Sequence, residues 1–173
     1  MASDLDSILR RLAEQERVDA LATALREQPG TRLHVAPALT AARPALVAAL
    51  AGLAERPLIY VVGSGEAALR AREDLCQWLD PESVLLFPAS DALPYEPMSP
   101  GNDVIAGRLR VLRAIGERQE ARGESSASHL SPLASRLVVV APIKALLQPT
   151  LAPAEHDEAT VRLRRGDERS LDE

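Results

Sequence analysis

"PLIYVVGSGEAALRAREDLCQWLDPESVLLF", residues 57–87, contains the fold in miniature. Residues 57–63 are a continuous β-branched and aromatic run, the pattern of a strand buried on both faces. Ser64 is suited to cap a helix, because its hydroxyl accepts from an amide of the first turn. Ala67, Ala68, Leu75, Trp78 and Leu79 then repeat at helical spacing as far as Asp80. "SVLLF", residues 83–87, is a second buried strand. Strand, helix, strand in that order implies parallel pairing, because a parallel return requires a crossover.

The same alternation continues outward. Leu5, Ile8, Leu9, Leu12, Val18, Leu21 and Leu25 read as one amphipathic helix over about residues 4–27, ended by Pro29-Gly30. "RLHV" (32–35) is a short strand candidate, and a helix follows over about 44–55 with Pro44 in its first turn. Downstream come a helix over about 101–118, a Ser-rich surface loop over 121–135 and the apolar strand "RLVVVAP" (136–142). The short helix "IKALLQ" and the alternating "ATVRLRRG", read as a half-exposed strand, complete the series. The expected fold is a three-layer α/β domain with a mainly parallel sheet. Its divisions are an N-terminal helix (1–30), the α/β unit (31–158) and the start of a further subdomain (159–173). Ser170 and Glu173 stand three apart, the capping-box arrangement that opens a helix, so the chain is expected to be a piece of a longer protein.

Composition sets bounds on function. The chain has 173 residues, 46% hydrophobic and 26% charged, as expected of an ordinary globular domain. No apolar run is long enough to span a membrane, and no secretory leader pattern is present at the start. One cysteine, Cys76, excludes an internal disulfide and fits a reducing cytoplasm. A net charge of −5 argues against broad electrostatic attachment to nucleic acid.

Residues 34–50 place a strand, a loop and a helix in the order used by phosphate-binding loops. Such a loop needs glycines so that amides wrap the phosphates, a lysine for the terminal phosphates and a hydroxyl for magnesium. Here Pro37, Thr40, Ala42, Arg43 and Pro44 occupy it, with no glycine from Thr31 to Ala51. Arg43-Pro44 stands where Lys-Ser/Thr belongs, so no cofactor is expected to bind. His34, His129 and His156 are scattered without metal-ligand spacing. No catalytic residue and no metal ligand is assigned. "GSGEAALR" reads as the start of a helix, and "RLRRGDER" as a solvated strand edge.

The segment "VLLFPASDALPYEPMSPGNDVIAGRLRVLRAI" differs from the periodic blocks around it. Each proline fixes φ and holds its predecessor extended, so Pro88, Pro94, Pro97 and Pro100 make a stiff strap after the strand. Tyr95 is expected to bury its ring against the sheet's end. Ser99 or Asn102 is a helix cap, Asp103 suits the helix's positive end, and Arg108 is expected to pair back to Asp91 or Glu96. Packing alone and direct contact with a partner or DNA both account for such a strap.

This segment resembles the N-terminal module of the bacterial transcription-repair coupling factor (Mfd) family. The matching residues are Phe87, Pro88, Asp91, Leu93, Pro94, Tyr95, Glu96, Ser99, Pro100, Asp103, Val104, Ile105, Arg108 and Leu109. Weaker likeness extends over the rest of the chain from about Thr31. The resemblance implies a helicase-like fold similar to the first domain of the repair protein UvrB, with a decayed nucleotide loop. It implies a whole protein whose motor, using ATP and magnesium, lies elsewhere, and whose partners are RNA polymerase, DNA and UvrA. By the same resemblance this domain is a scaffold contacting the other domains of its protein. Too few residues separate Tyr95 from Asp103 for UvrB's long aromatic hairpin. Two other readings stay open: an active UvrB-like nucleotide-dependent repair domain, and an unrelated Rossmann-like module for a small anion.

Overall fold

The computed structural model describes residues 2–28, 30, 32–36, 39–54, 56–90, 101–123, 136–152, 155, 160–161 and 166. Its sheet has three strands, β1 (Leu58–Val62), β2 (Val84–Leu86) and β3 (Val138–Pro142), in the order β1-β3-β2. Both pairings are parallel, with Leu58 and Val84 each in register with Val138. β3 lies between the other two and is buried along its whole length, so its unbroken valine run is the element every layer packs on.

On one face α4 (Gly65–Leu75) packs on the sheet and touches α3 (Arg43–Leu53). Ala68, Ala71 and Leu75 of α4 meet Val84, Val138 and Val140 in one apolar cluster with Ala48, Ala49 and Ala51 of α3. Small side chains along α3 let neighbouring helices approach it closely. α1 (Ala2–Ala13) and α2 (Glu16–Glu27) lie against it and add Leu9 and Val18 to the same cluster. The other face carries α5 (Asn102–Gly123) and α6 (Ile143–Leu146), which close Phe87, Val111, Leu137, Val139, Ala141 and Ala145 into a second cluster. The protein is therefore an α/β domain with helices on both sides of a small parallel sheet.

Several elements form as the local sequence dictates. The Ser64 hydroxyl accepts from the Ala67 amide at 3.2 Å and starts α4. Asp80 accepts from the Glu82 amide at 2.9 Å and sets the 3₁₀ turn Pro81–Ser83 that leads into β2. Gly30, at φ 84°, supplies the left-handed residue after α2 that a side chain would strain.

Three expectations need correction. The single helix over 4–27 is two helices, broken around Gln15, whose ψ of 128° is extended. The cause is phase: at 100° per residue the step from Leu12 to Val18 turns roughly 240°, so one straight helix cannot bury both stripes. Residues 32–35 form no strand, and Leu33 and Val35 are exposed; four residues with no ladder partner among the described residues do not hold an extended pairing. Finally, β1 is not buried on both faces. Ile59 and Val61 are 54% and 43% exposed, because α5 covers β2 and α6 covers β3 and the described cover of that face stops short of β1. The sequence-based strand at 159–166 falls mostly outside the described residues, and Thr160 and Val161 are in no strand.

Candidate functional site

The sequence points to the carboxyl end of the sheet, where β2 runs out into Phe87-Pro88-Ala89-Ser90. The Phe87 amide still donates to the Val140 carbonyl at 2.8 Å, so the extended chain stays tied to β3 beyond the strand proper. Its ring is buried. Over that ring, with the guanidinium carbon 4.3 Å from the centroid, sits Arg108 of α5. Arg108 Nη1 donates to the Pro88 carbonyl at 3.1 Å, the Ala145 carbonyl at 3.4 Å and Gln148 Oε1 at 3.5 Å. Nη2 donates to the Pro149 carbonyl at 3.1 Å. One side chain thus joins the strand exit, α5 and the end of α6.

Gln148 makes the second tie. Its Oε1 accepts from the Ser90 amide and its Nε2 donates to the Ser90 carbonyl, both at 2.8 Å. A carboxamide carries one acceptor and one donor side by side, which matches the amide and carbonyl of an extended residue, so Gln148 extends the pairing without a strand. Gly107 makes the third. A Cβ there would stand 3.0 Å from Pro88 Cγ and 3.2 Å from Pro88 Cδ, so α5 crosses the strand exit at its one side-chain-free position in that turn. Beside this crossing a groove of about 300 Å³ follows β2, where Arg72 Nε donates to the Val84 carbonyl at 3.3 Å.

Electrostatically the site is a partly buried cation held by neutral oxygens. Loss of hydration pulls the Arg108 pKa below the ordinary arginine value. The described partners of Arg108 are carbonyls, an amide oxygen and a ring. Asp91 and Glu96, its expected partners, lie outside the described residues, as do Leu93, Pro94, Tyr95, Ser99 and Pro100. Asp103 stands in the first turn of α5, as its charge favours. Gln148 and Gly107 belong to no motif in the sequence. The signal for Gln148 was an amide side chain between an apolar helix and Pro149. For Gly107 it was a glycine inside an otherwise unbroken helical pattern, which marks a close approach.

The loop before α3 was the other candidate. Thr40–Ala42 form a 3₁₀ turn, Ala42 is the N-cap of α3, and Thr40, Ala42 and Arg43 are exposed while Pro44 is buried. Pro37 lies outside the described residues. A helix start binds phosphate through amides that have no intrahelical partner. Here the Ala42 amide donates to the Leu39 carbonyl, the Arg43 amide donates to the Thr40 carbonyl, and Pro44 has none. Ala42, Arg43 and Pro44 therefore offer no free amide to a phosphate. No group of three or more His, Cys, Asp or Glu able to hold a metal occurs among the described residues, and none of the described helices is long and apolar enough to cross a membrane. His34 is exposed, and Cys76 is partly buried against the first apolar cluster.

In comparisons with known proteins, the chain matches no family model and no curated protein.

Proposed function

We propose that the chain is a non-catalytic scaffold domain of a transcription-repair coupling factor, with a UvrB domain 1-like, helicase-like fold and a disused nucleotide loop. The observation that carries this reading is a conjunction. Phe87, Pro88 and Arg108 are three of the residues on which the family resemblance rests, and they are the residues that meet at the carboxyl end of the sheet. In a working nucleotide-binding relative that end of a parallel sheet receives the ligand. Here Arg108, Gln148 and the strand exit at residues 87–90 are joined there by internal bonds. A domain built this way supplies shape and rigidity to its neighbours. The whole protein would act in the cytoplasm, move on DNA with ATP and magnesium through a separate motor, release stalled RNA polymerase and recruit UvrA.

The test has two arms. In cells, deletion of the gene should slow repair of ultraviolet lesions in the transcribed strand while leaving the other strand unchanged; equal repair rates in both strands before and after deletion would overturn the reading. In vitro, magnesium and ATP at millimolar concentration should leave the melting temperature of the chain unmoved. Ligand that binds the native state must raise it, so a rise of several degrees favours the active repair domain instead.

A further inference from the structure

The amino end of the sheet, opposite the Arg108 site, carries a separate groove of about 200 Å³ between α2, the end of α3 and the first residue of β1. Its floor is apolar: Ala22, Leu50, Ala54 and Leu58 line it, and Leu25 stands at its side with 44% of its surface exposed. Its charge is of one sign. Arg26 and Arg56 both line it, both are exposed, and its described lining contains no carboxylate. Arg26 donates to Thr23 Oγ1 on its own helix at 3.2 Å, and neither arginine takes part in an ion pair among the described residues.

We propose that this groove is a docking site for an acidic peptide segment of a partner protein, with an aliphatic side chain entering the groove and flanking carboxylates meeting Arg26 and Arg56. The argument is charge complementarity joined to an apolar floor. The chain as a whole has a net charge of −5, so two guanidiniums with no ion pair among the described residues, beside exposed leucine, form a local reversal of sign. The carboxyl ends of α2 and α3 both oppose this, with about half a negative charge each, together less than the two arginines supply. Arginine is the side chain that grips carboxylates through two parallel bonds. A nucleic acid fits less well: single strands are held on aromatic platforms, and the described lining of this groove contains no aromatic residue. The proposal stands independently of the functional reading above.

The probe is a fluorescein-labelled peptide with a central Leu-Leu pair between two Glu-Asp pairs, titrated with the whole chain and followed by anisotropy. The acidic peptide should bind, more weakly in 0.5 M salt than in 0.05 M. Peptides with Lys-Arg flanks or an Ala-Ala centre should bind at least about tenfold more weakly. Arg26→Glu with Arg56→Glu should reverse the preference, so that the Lys-Arg peptide becomes the tighter ligand, while Leu25→Ala weakens both. Both arginines are exposed, so an unchanged melting temperature is expected for the charge reversal. Several outcomes overturn the proposal: no binding of the acidic peptide at millimolar chain, equal affinity in the reversed variant, or displacement by a single-stranded oligonucleotide at equal concentration. So does a dimer in sedimentation that Leu25→Ala dissolves, since the groove would then belong to a second copy.

Discussion

Arg108 is a charged residue whose described partners are neutral, and this decides how its removal behaves. Arg108→Ala deletes donors to three carbonyls and a contact with the Phe87 ring, and hydrogen bonds to a charged group are worth about 1.5–3 kcal/mol each way of counting. A loss of roughly 2 kcal/mol in urea unfolding is expected, with Arg108→Lys restoring only part, because an ammonium does not span acceptors on two segments. The pH dependence separates carbonyl from carboxylate partners. Arginine stays protonated throughout the working range, so with carbonyl acceptors the Arg108→Ala penalty should be constant from pH 8 to pH 4. A paired Asp91 or Glu96 would have a depressed pKa, and its contribution would shrink as pH fell through the carboxylate range. Two glycines of α5 give a sharper contrast. Gly116→Ala meets nothing within 4 Å and should stabilise by about 0.5–1 kcal/mol through helix propensity. Gly107→Ala gains the same propensity but drives a methyl into the Pro88 ring, which is held from behind by its carbonyl bond to Arg108. A net loss of about 1 kcal/mol is expected there, and equal shifts for the two variants would refute the close crossing.

At the scale of elements, the strands and the α4 crossover were legible because each carries its own signal: a β-branched run, a serine cap, a helical stripe ending at an aspartate. What escaped was anything set by a neighbour. The run at 57–63 says that β1 is apolar, but whether one face or two are covered depends on where α5 and α6 stop, and no residue within the strand records that. Ile59 and Val139 are register partners on the same face, one 54% exposed and the other 2%. Threonine at the two positions should therefore behave differently. Val139→Thr buries a hydroxyl among valines and alanines and should cost about 1–3 kcal/mol, while Ile59→Thr should stay within about 0.5 kcal/mol. Chemical denaturation of both variants checks it, and similar penalties would mean that β1 is covered after all. The candidate site divides in the same way. Phe87, Pro88 and Arg108 were legible as a motif, whereas their contact across twenty positions of chain and the part of Gln148 were not, since both follow from the sheet order β1-β3-β2.

At the scale of the whole molecule, the first two helices decide whether the chain is one cooperative unit or a helix attached to a domain. The sequence suggested a division near residue 30. Leu9 of α1 and Val18 of α2, however, belong to the same apolar cluster as Ala48 of α3, Leu75 of α4 and Val140 of β3. α1 does not rest on the sheet directly; it reaches that cluster through the small side chains of α3, which leave room for it. Leu9→Ala should then open a cavity beneath the helical layer at a cost of about 2–4 kcal/mol, a large share of the roughly 5–15 kcal/mol that holds a domain of this kind folded. Trp78, the chain's one tryptophan, packs against the same cluster at the far end of α4 and reports on it without added label. In one cooperative unit, Leu9→Ala lowers the unfolding midpoint seen by Trp78 fluorescence and by far-ultraviolet circular dichroism equally. If α1 and α2 were a separate unit, the dichroism would show an early helical transition while the Trp78 midpoint stayed at its wild-type value.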